Sequence, residues 1–425
     1  MSHHLAAAAA TVAAAAASSC STSVRLRSTT CPLSLHQPRA TSERTTFSAA
    51  RTEKKPATSV AVAAASPASP VHRLEEMSHD HKATPERLAV VTGGNRGIGL
   101  EVCRQLALQG VTVILTARDE KRGEGAVESL RRESDLSNIM FHQLDILDGS
   151  SRASLVRHIE TTYGKLDILV NNAGVGGVAV DQDGLRALNI DPKMWLSGKA
   201  AHLIESVIVQ TYDEAVKCVN TNYYGLKWAT EAFLPLLKRS TSGARIINTS
   251  SLRSELQRMP NERLWESLRD ADSWDEACIE AMLSEFLEDL RNERLEEAGW
   301  PTMLPAYSMS KMVVNLYTRI LARRHPDMRV NCVHPGFVKT EINWNTGVLP
   351  PEEGARGAVM LALVPGDGPT GCYFDQTKMG SLVIGIARPV ALHLGFPLHA
   401  VQHWFVADEL SARSLSKGDF HAPSQ

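Results

Sequence analysis

The sequence predicts an α/β domain built on a doubly wound parallel sheet. From Arg87 onward, short β-branched, apolar runs alternate with longer amphipathic stretches. The runs are continuously apolar rather than alternating in polarity, as expected of strands covered on both faces. A glycine-rich turn joins the first run to the first helical stretch, where a doubly wound sheet opens its ligand crevice.

Taken in order, Arg87–Thr92 reads as the first strand and Gly97–Leu108 as the first helix. Val111–Ala117 (VTVILTA), Ile139–Leu144 and Leu166–Val170 repeat the strand signal, and Ser150–Tyr163 and Tyr212–Lys238 the helical one. Arg245–Thr249 and Arg329–Val333 add two strands. Between the last two, YSMSKMVVNLYTRIL opens a helix at Tyr307. Upstream of it, Ile279, Met282, Leu283, Phe286, Leu287 and Leu290 recur at helical spacing, which predicts a helix packing one face on the body.

The 425 residues hold 45 Lys plus Arg against 47 Asp plus Glu, a net charge of −2. That balance excludes a general nucleic-acid binder, which needs a cationic excess to neutralise phosphates. Seven cysteines without a C-x-x-C pair suit neither a disulfide framework nor a zinc site, so no metal is expected and a reducing compartment is. No apolar run reaches the ~18 residues of a spanning helix. Composition changes near residue 85. The first 52 residues are rich in Ala, Ser and Thr, carry Arg25, Arg27, Arg39, Arg44 and Arg51, and contain one acid, Glu43. This is the composition of an organelle transit peptide, with a chloroplast destination expected. The alternatives are a plain disordered leader, with Met77 as an internal start and a cytoplasmic location, and a secretory signal with Leu5–Ala17 as its apolar core. The expected organisation is leader 1–84, one domain 85–378 and a C-terminal extension 379–425.

The turn Thr92-Gly93-Gly94-Asn95-Arg96-Gly97-Ile98-Gly99 lets the backbone approach a pyrophosphate and aims a helix N-terminus at it. The second strand ends at Ala117-Arg118, where an NAD site would carry an acid for the ribose 2′-hydroxyl. Arg118, seconded by Arg96, suits the 2′-phosphate of NADPH instead, although Asp119 follows directly. Tyr307 and Lys311, four apart on a helix, share a face. An ammonium there is expected to stabilise the phenolate and lower the tyrosine pKa from about 10 toward neutrality.

These motifs fall in order with Asn171-Asn172-Ala173-Gly174, Asn222, Ser251 and Pro335-Gly336. Over about residues 85 to 378 the sequence resembles the short-chain dehydrogenase/reductase family. The resemblance implies a Rossmann-like fold and hydride transfer between NAD(P) and a carbonyl or alcohol. It implies Tyr307 as proton donor, Ser251 as hydrogen-bond donor to the carbonyl oxygen, and Lys311 as the group that tunes Tyr307 and holds the nicotinamide ribose. Asn222 would position a water for a proton relay. Gly93, Asn95, Arg96, Gly97, Ile98 and Gly99 would cradle the phosphates. Asp145 and Ile146 would bind adenine, and Asn172, Ala173 and Gly174 the adenosine and ribose side. Val333, Pro335, Gly336 and Val338 would flank the nicotinamide. From the residues alone, Asp145 is equally a helix cap and Asn172 a turn support. Ser250 and Ser251 point to opposite faces of a strand, and alignment favours the second.

The segment 252–306, with TNYYG and Gly299-Trp300-Pro301, resembles the plant salutaridine reductase and neomenthol dehydrogenase branch, near monomeric carbonyl reductases. In that branch the inserted helix covers an oligomerisation surface, implying a monomer, and Trp300, Met303 and Leu304 are expected to border the substrate pocket. His334 either touches the nicotinamide pocket or is structural. The expected activity is NADPH-dependent reduction of a ketone or aldehyde on an apolar small molecule. The rivals are a non-catalytic NADPH-binding scaffold or sensor and NADP-dependent alcohol oxidation.

Overall fold

The computed structural model describes residues 86–269 and 272–380. The leader read over 1–84 and residues 381–425 of the extension lie outside the described residues. The chain forms one Rossmann-like α/β domain around an eight-stranded sheet in the order β10-β9-β8-β7-β4-β1-β2-β3. Its strands are β1 (Leu88–Val91), β2 (Thr112–Ala117), β3 (Ile139–Gln143), β4 (Ile168–Asn171), β7 (Arg245–Thr249), β8 (Arg329–His334), β9 (Tyr373–Asp375) and β10 (Lys378–Gly380). All neighbours pair in parallel except β9 with β10. β10 carries the sheet two residues past the expected boundary at 378. A separate two-stranded ribbon joins β5 (Ala179–Val180) to β6 (Ile208–Val209).

Every residue of β1 and β2 is buried, which is why both read as unbroken apolar runs. β1 pairs with β2 on one side and β4 on the other, so the strand order reverses there. The turn leaving β1 and the Asn-Asn-Ala-Gly stretch leaving β4 therefore meet at the crevice where such sheets bind ligands.

The helices expected from periodicity are present, with one difference. Helix Tyr212–Val219 passes into a π-helical turn, Asn220–Gly225, before α-helix Leu226–Leu237 resumes. Period alone could not reveal this, because a segment of six residues is too short to set a period of its own. Helix Pro305–Arg324 is buried from Ser308 through Ala322. It packs on β8 on one side, and on helix Tyr212–Val219 and the insertion helix Glu276–Arg291 on the other. In that insertion helix Ile279, Met282 and Phe286 are fully buried, while Leu287 and Leu290 are half-buried. Asp275 caps it by accepting the Cys278 N–H at 2.9 Å. Asp289 anchors its far end, taking the Trp300 indole N–H at 2.9 Å and Arg294 at 2.8 Å.

Candidate active site

A cavity of about 500 Å³ runs along the carboxyl ends of the strands, from the glycine turn to Tyr307. The first helix, Gly97–Leu108, explains one end. The helices beginning at Glu120, Gly149, Tyr212 and Glu276 are each capped by an Asp or Thr side chain, but this one has no side-chain cap. Its first N–H groups and the positive end of its dipole are left to an anion. Gly93 takes φ +63° against Ala173, a backbone that disfavours other residues. A Cβ on Gly99 would fall 2.4 Å from both the Asn172 amide nitrogen and the Gly93 carbonyl. The open helix end and a cradle that tolerates no side chain fit a dinucleotide pyrophosphate.

The residues singled out in the sequence converge here. Gly93, Asn95 through Gly99, Arg118, Asp145, Ile146, Asn172 through Gly174, Pro335, Gly336 and Val338 line the cavity, as do Ser251, Tyr307 and Lys311. Asn222 and Val333 are not among its lining residues. Asn222 lies in the π turn with its amide engaged: Nδ2 donates to the Val175 carbonyl at 3.0 Å and to Ser310 Oγ at 3.0 Å, and Oδ1 accepts the Val175 N–H at 2.8 Å. It thus holds the segment that leaves Gly174.

Several open readings are resolved by contacts. Asn172 donates to the carbonyls of Thr92 and Gly93 at 3.0 and 3.1 Å, so it supports the glycine turn while lining the cavity. Asp145 is not the helix cap, since Asp148 fills that place; Asp145 instead turns the chain by accepting the Leu147 N–H at 2.9 Å. Asp119 caps the next helix by accepting the Arg122 N–H at 2.9 Å, so the carboxylate that follows Arg118 is engaged there. Arg118 is exposed at the cavity rim and makes no ion pair among the described residues. Arg96 pairs with Glu341 across the mouth, and a pair this exposed contributes little, so it yields readily to a stronger anion. Ser250 is buried and donates to Asn315 Oδ1 at 2.5 Å, leaving Ser251 to face Tyr307.

Electrostatics corrects one expectation. Lys311 does not bring the Tyr307 phenol toward neutrality; burial, which disfavours the phenolate, pushes the phenol up to about 12, and Ser251 and Arg253 oppose that rise. The Lys311 ammonium lies 5.7 Å from the Tyr307 ring centroid and donates to the Thr249 carbonyl at 2.7 Å. Burial brings its own pKa down to about 8.

The insertion contributes less to the cavity than expected. Of Trp300, Met303 and Leu304, Leu304 alone lines it, held at φ +51° as the residue entering helix Pro305–Arg324. Trp300 is fully buried edge-on to Phe286, and Met303 belongs to a side cluster with Trp195 and Ile208. The walls missed in the sequence are Trp195, Phe337 and Trp344, drawn together from distant loops. Arg253 was also missed, although its place two residues after Ser251 was a usable signal.

A profile of short chain dehydrogenases matches residues 87–262. The chain is 46% identical over 296 residues to (+)-neomenthol dehydrogenase of Arabidopsis thaliana, covering 69% of this chain and 97% of that protein. It is 35% identical to carbonyl reductase [NADPH] 3 of Mus musculus, covering 66% of this chain and 92% of that one. The solved structure of salutaridine reductase from Papaver somniferum superposes with a TM-score of 0.64 at 43% identity, over 68% of this chain and 99% of the other. With relatives of this identity matched along nearly their whole length on the same sheet, the chain belongs to the short-chain dehydrogenase/reductase family of oxidoreductases.

Proposed function

We propose that this enzyme reduces a ketone or aldehyde on a largely apolar small molecule to the alcohol, with NADPH as reductant and Tyr307 as proton donor. The observation that carries the reading is the junction of two features in one cavity: an uncapped glycine-bounded helix end, and a Ser251–Tyr307 pair backed by Lys311. Bound at the glycine turn, the nicotinamide cofactor would supply the hydride to the carbonyl carbon. Tyr307 gives its proton to the carbonyl oxygen as negative charge develops there, and Ser251 hydrogen-bonds the same oxygen. A phenol held near 12 is protonated at neutral pH, which suits a proton donor. Lys311 holds positive charge beside the reacting groups. Arg118, with Asp119 occupied as a helix cap, supports NADPH over NADH. The relative from Mus musculus, whose name specifies NADPH, points the same way. Action as a monomer belongs to the same reading and is supported by the insertion helix lying over helices Tyr212–Val219 and Pro305–Arg324.

The test is NADPH consumption by the full-length chain across a panel of terpenoid, alkaloid-like and lipid-derived carbonyls. Turnover of at least one ketone or aldehyde is expected. Tyr307→Phe should lower kcat by on the order of 10²- to 10⁴-fold while cofactor binding persists. Full activity in that variant would sink the mechanism.

A further inference from the structure

The end of the cavity facing Tyr307 is apolar in its walls and cationic at one point. Trp195 and Trp344, with ring centroids 6.2 Å apart, form one wall, and Leu304 and Phe337 line the same region. Among them sits Arg253, in the turn Leu252–Ser254 that follows Ser251. Its backbone N–H donates to Ser251 Oγ at 3.2 Å, and its guanidinium acts on the Tyr307 phenol. A guanidinium in such a place normally has a carboxylate partner, because a buried charge without one is costly.

Arg253 has no such partner among the described residues. Its neighbour Arg258 is matched by Glu255 at 3.6 Å. The one protein acceptor on the Arg253 side chain is the Trp195 carbonyl, bonded by Nη2. Arg258 makes the parallel contact to the Leu196 carbonyl at 2.8 Å, so the two arginines tie down the end of the short helix Pro192–Ser197. Anchoring that helix accounts for one of the five N–H donors of Arg253 and fixes the plane of the guanidinium. Two further polar groups lack partners beside it. The indole N–H of Trp195 and Nδ1 of His334 are both buried without a hydrogen bond, and both residues line the cavity. His334 is held neutral at pH 7, its pKa brought down to about 4 chiefly by burial, so it offers hydrogen bonding without charge. Nearby Asp375 faces this imidazole but makes no ion pair with Arg253.

We propose that Arg253 is a specificity-determining residue that binds a carboxylate on the substrate, so that the preferred substrate is an apolar carbonyl compound bearing an acid group. A carboxylate offers two coplanar oxygens to the fork of a guanidinium already fixed in place, and brings the charged acceptor that Arg253 lacks. With the acid on Arg253 and the apolar body against Trp195 and Trp344, the carbonyl is directed at Ser251 and Tyr307. Neutral terpenoid ketones would leave the half-buried guanidinium without a charged partner.

The inference rests on the reductase reading, and the experiment separates the two. The full-length protein is assayed with 4-acetylbenzoate and 5-oxohexanoate, each beside its methyl ester. kcat/KM is measured with NADPH, and dissociation constants are measured by calorimetry in saturating NADP. The expected result is a preference for each acid over its ester of at least about tenfold in both measurements. Arg253→Met should remove that preference, an at least about tenfold fall in the acid-to-ester ratio, and Arg253→Lys should restore part of it. The ester in each variant reports folding and any change at Tyr307, so the ratio isolates the charge. Reduction of the esters with equal or weaker binding of the acids, or an acid-to-ester ratio unchanged in Arg253→Met, overturns the inference and leaves the reductase reading standing. Arg253-dependent acid binding with no NADPH consumption supports the carboxylate site and sinks the reductase reading.

Discussion

Tyr307 and Lys311 are a turn apart on one helix, yet the chemistry between them is set by burial more than by their mutual attraction. Desolvation raises the phenol to about 12 and lowers the ammonium to about 8, so each side chain is pushed toward its neutral form. The tyrosine therefore keeps the proton it is proposed to donate, and the lysine is the group that titrates near the physiological range. A pH dependence follows with a definite sign. Below about 8 the ammonium is charged, and as pH rises through 8 the charge is lost. The kcat/KM for carbonyl reduction should fall along a limb centred near pH 8, one that stopped-flow or steady-state rates in mixed buffers will locate. A limb near 10.5, the ordinary lysine value, would mean that burial does not govern this group. Lys311→Arg, whose guanidinium stays protonated, should abolish the limb.

The insertion helix Glu276–Arg291 shows how the elements support that site without entering it. Its apolar face covers helix Pro305–Arg324, which carries Tyr307 and Lys311, so its packing sets how rigidly they are held. Phe286 is fully buried against Trp300, and Phe286→Ala should destabilise the fold by about 3–5 kcal/mol. Chemical denaturation monitored by far-UV circular dichroism measures this, and a loss below about 1 kcal/mol would show that the helix is only loosely docked. This helix was legible in the sequence because six apolar residues fell at one period. β1 and β2 were legible for a different reason, as short, largely apolar runs whose two faces are both covered. The segment between β4 and helix Tyr212–Val219 was not legible. It folds as a ribbon of two two-residue strands and short helices around Trp195, and such short pieces leave no period. The π turn was hidden for a related reason, and the amide contacts that occupy Asn222 depend on Val175 and Ser310, which only the fold brings beside it.

Across the domain, the sheet order brings distant motifs into one cavity. β1 and β4 set the glycine turn against Asn172, while β7 and β8 deliver Ser251 and Pro335 to its other end. The cofactor motifs were readable in sequence because their backbone requirements are strict: glycine at a positive φ, an open helix end, a missing acid after β2. The substrate end was not, since Trp195, Arg253, Leu304 and Trp344 meet only through the loops above the sheet. The proposed hydride transfer takes place in this one cavity. The most direct test is to supply NADPH deuterated at nicotinamide C4, on each face in turn, with a reducible ketone and the full-length protein, and to read the product by mass spectrometry. One deuterium on the former carbonyl carbon, from one face only, with the labelled product formed on the order of 10²- to 10⁴-fold more slowly by Tyr307→Phe, is the predicted result. NADPH that binds but transfers no deuterium to any carbonyl in the panel, or labelled product formed as fast by Tyr307→Phe, would contradict it.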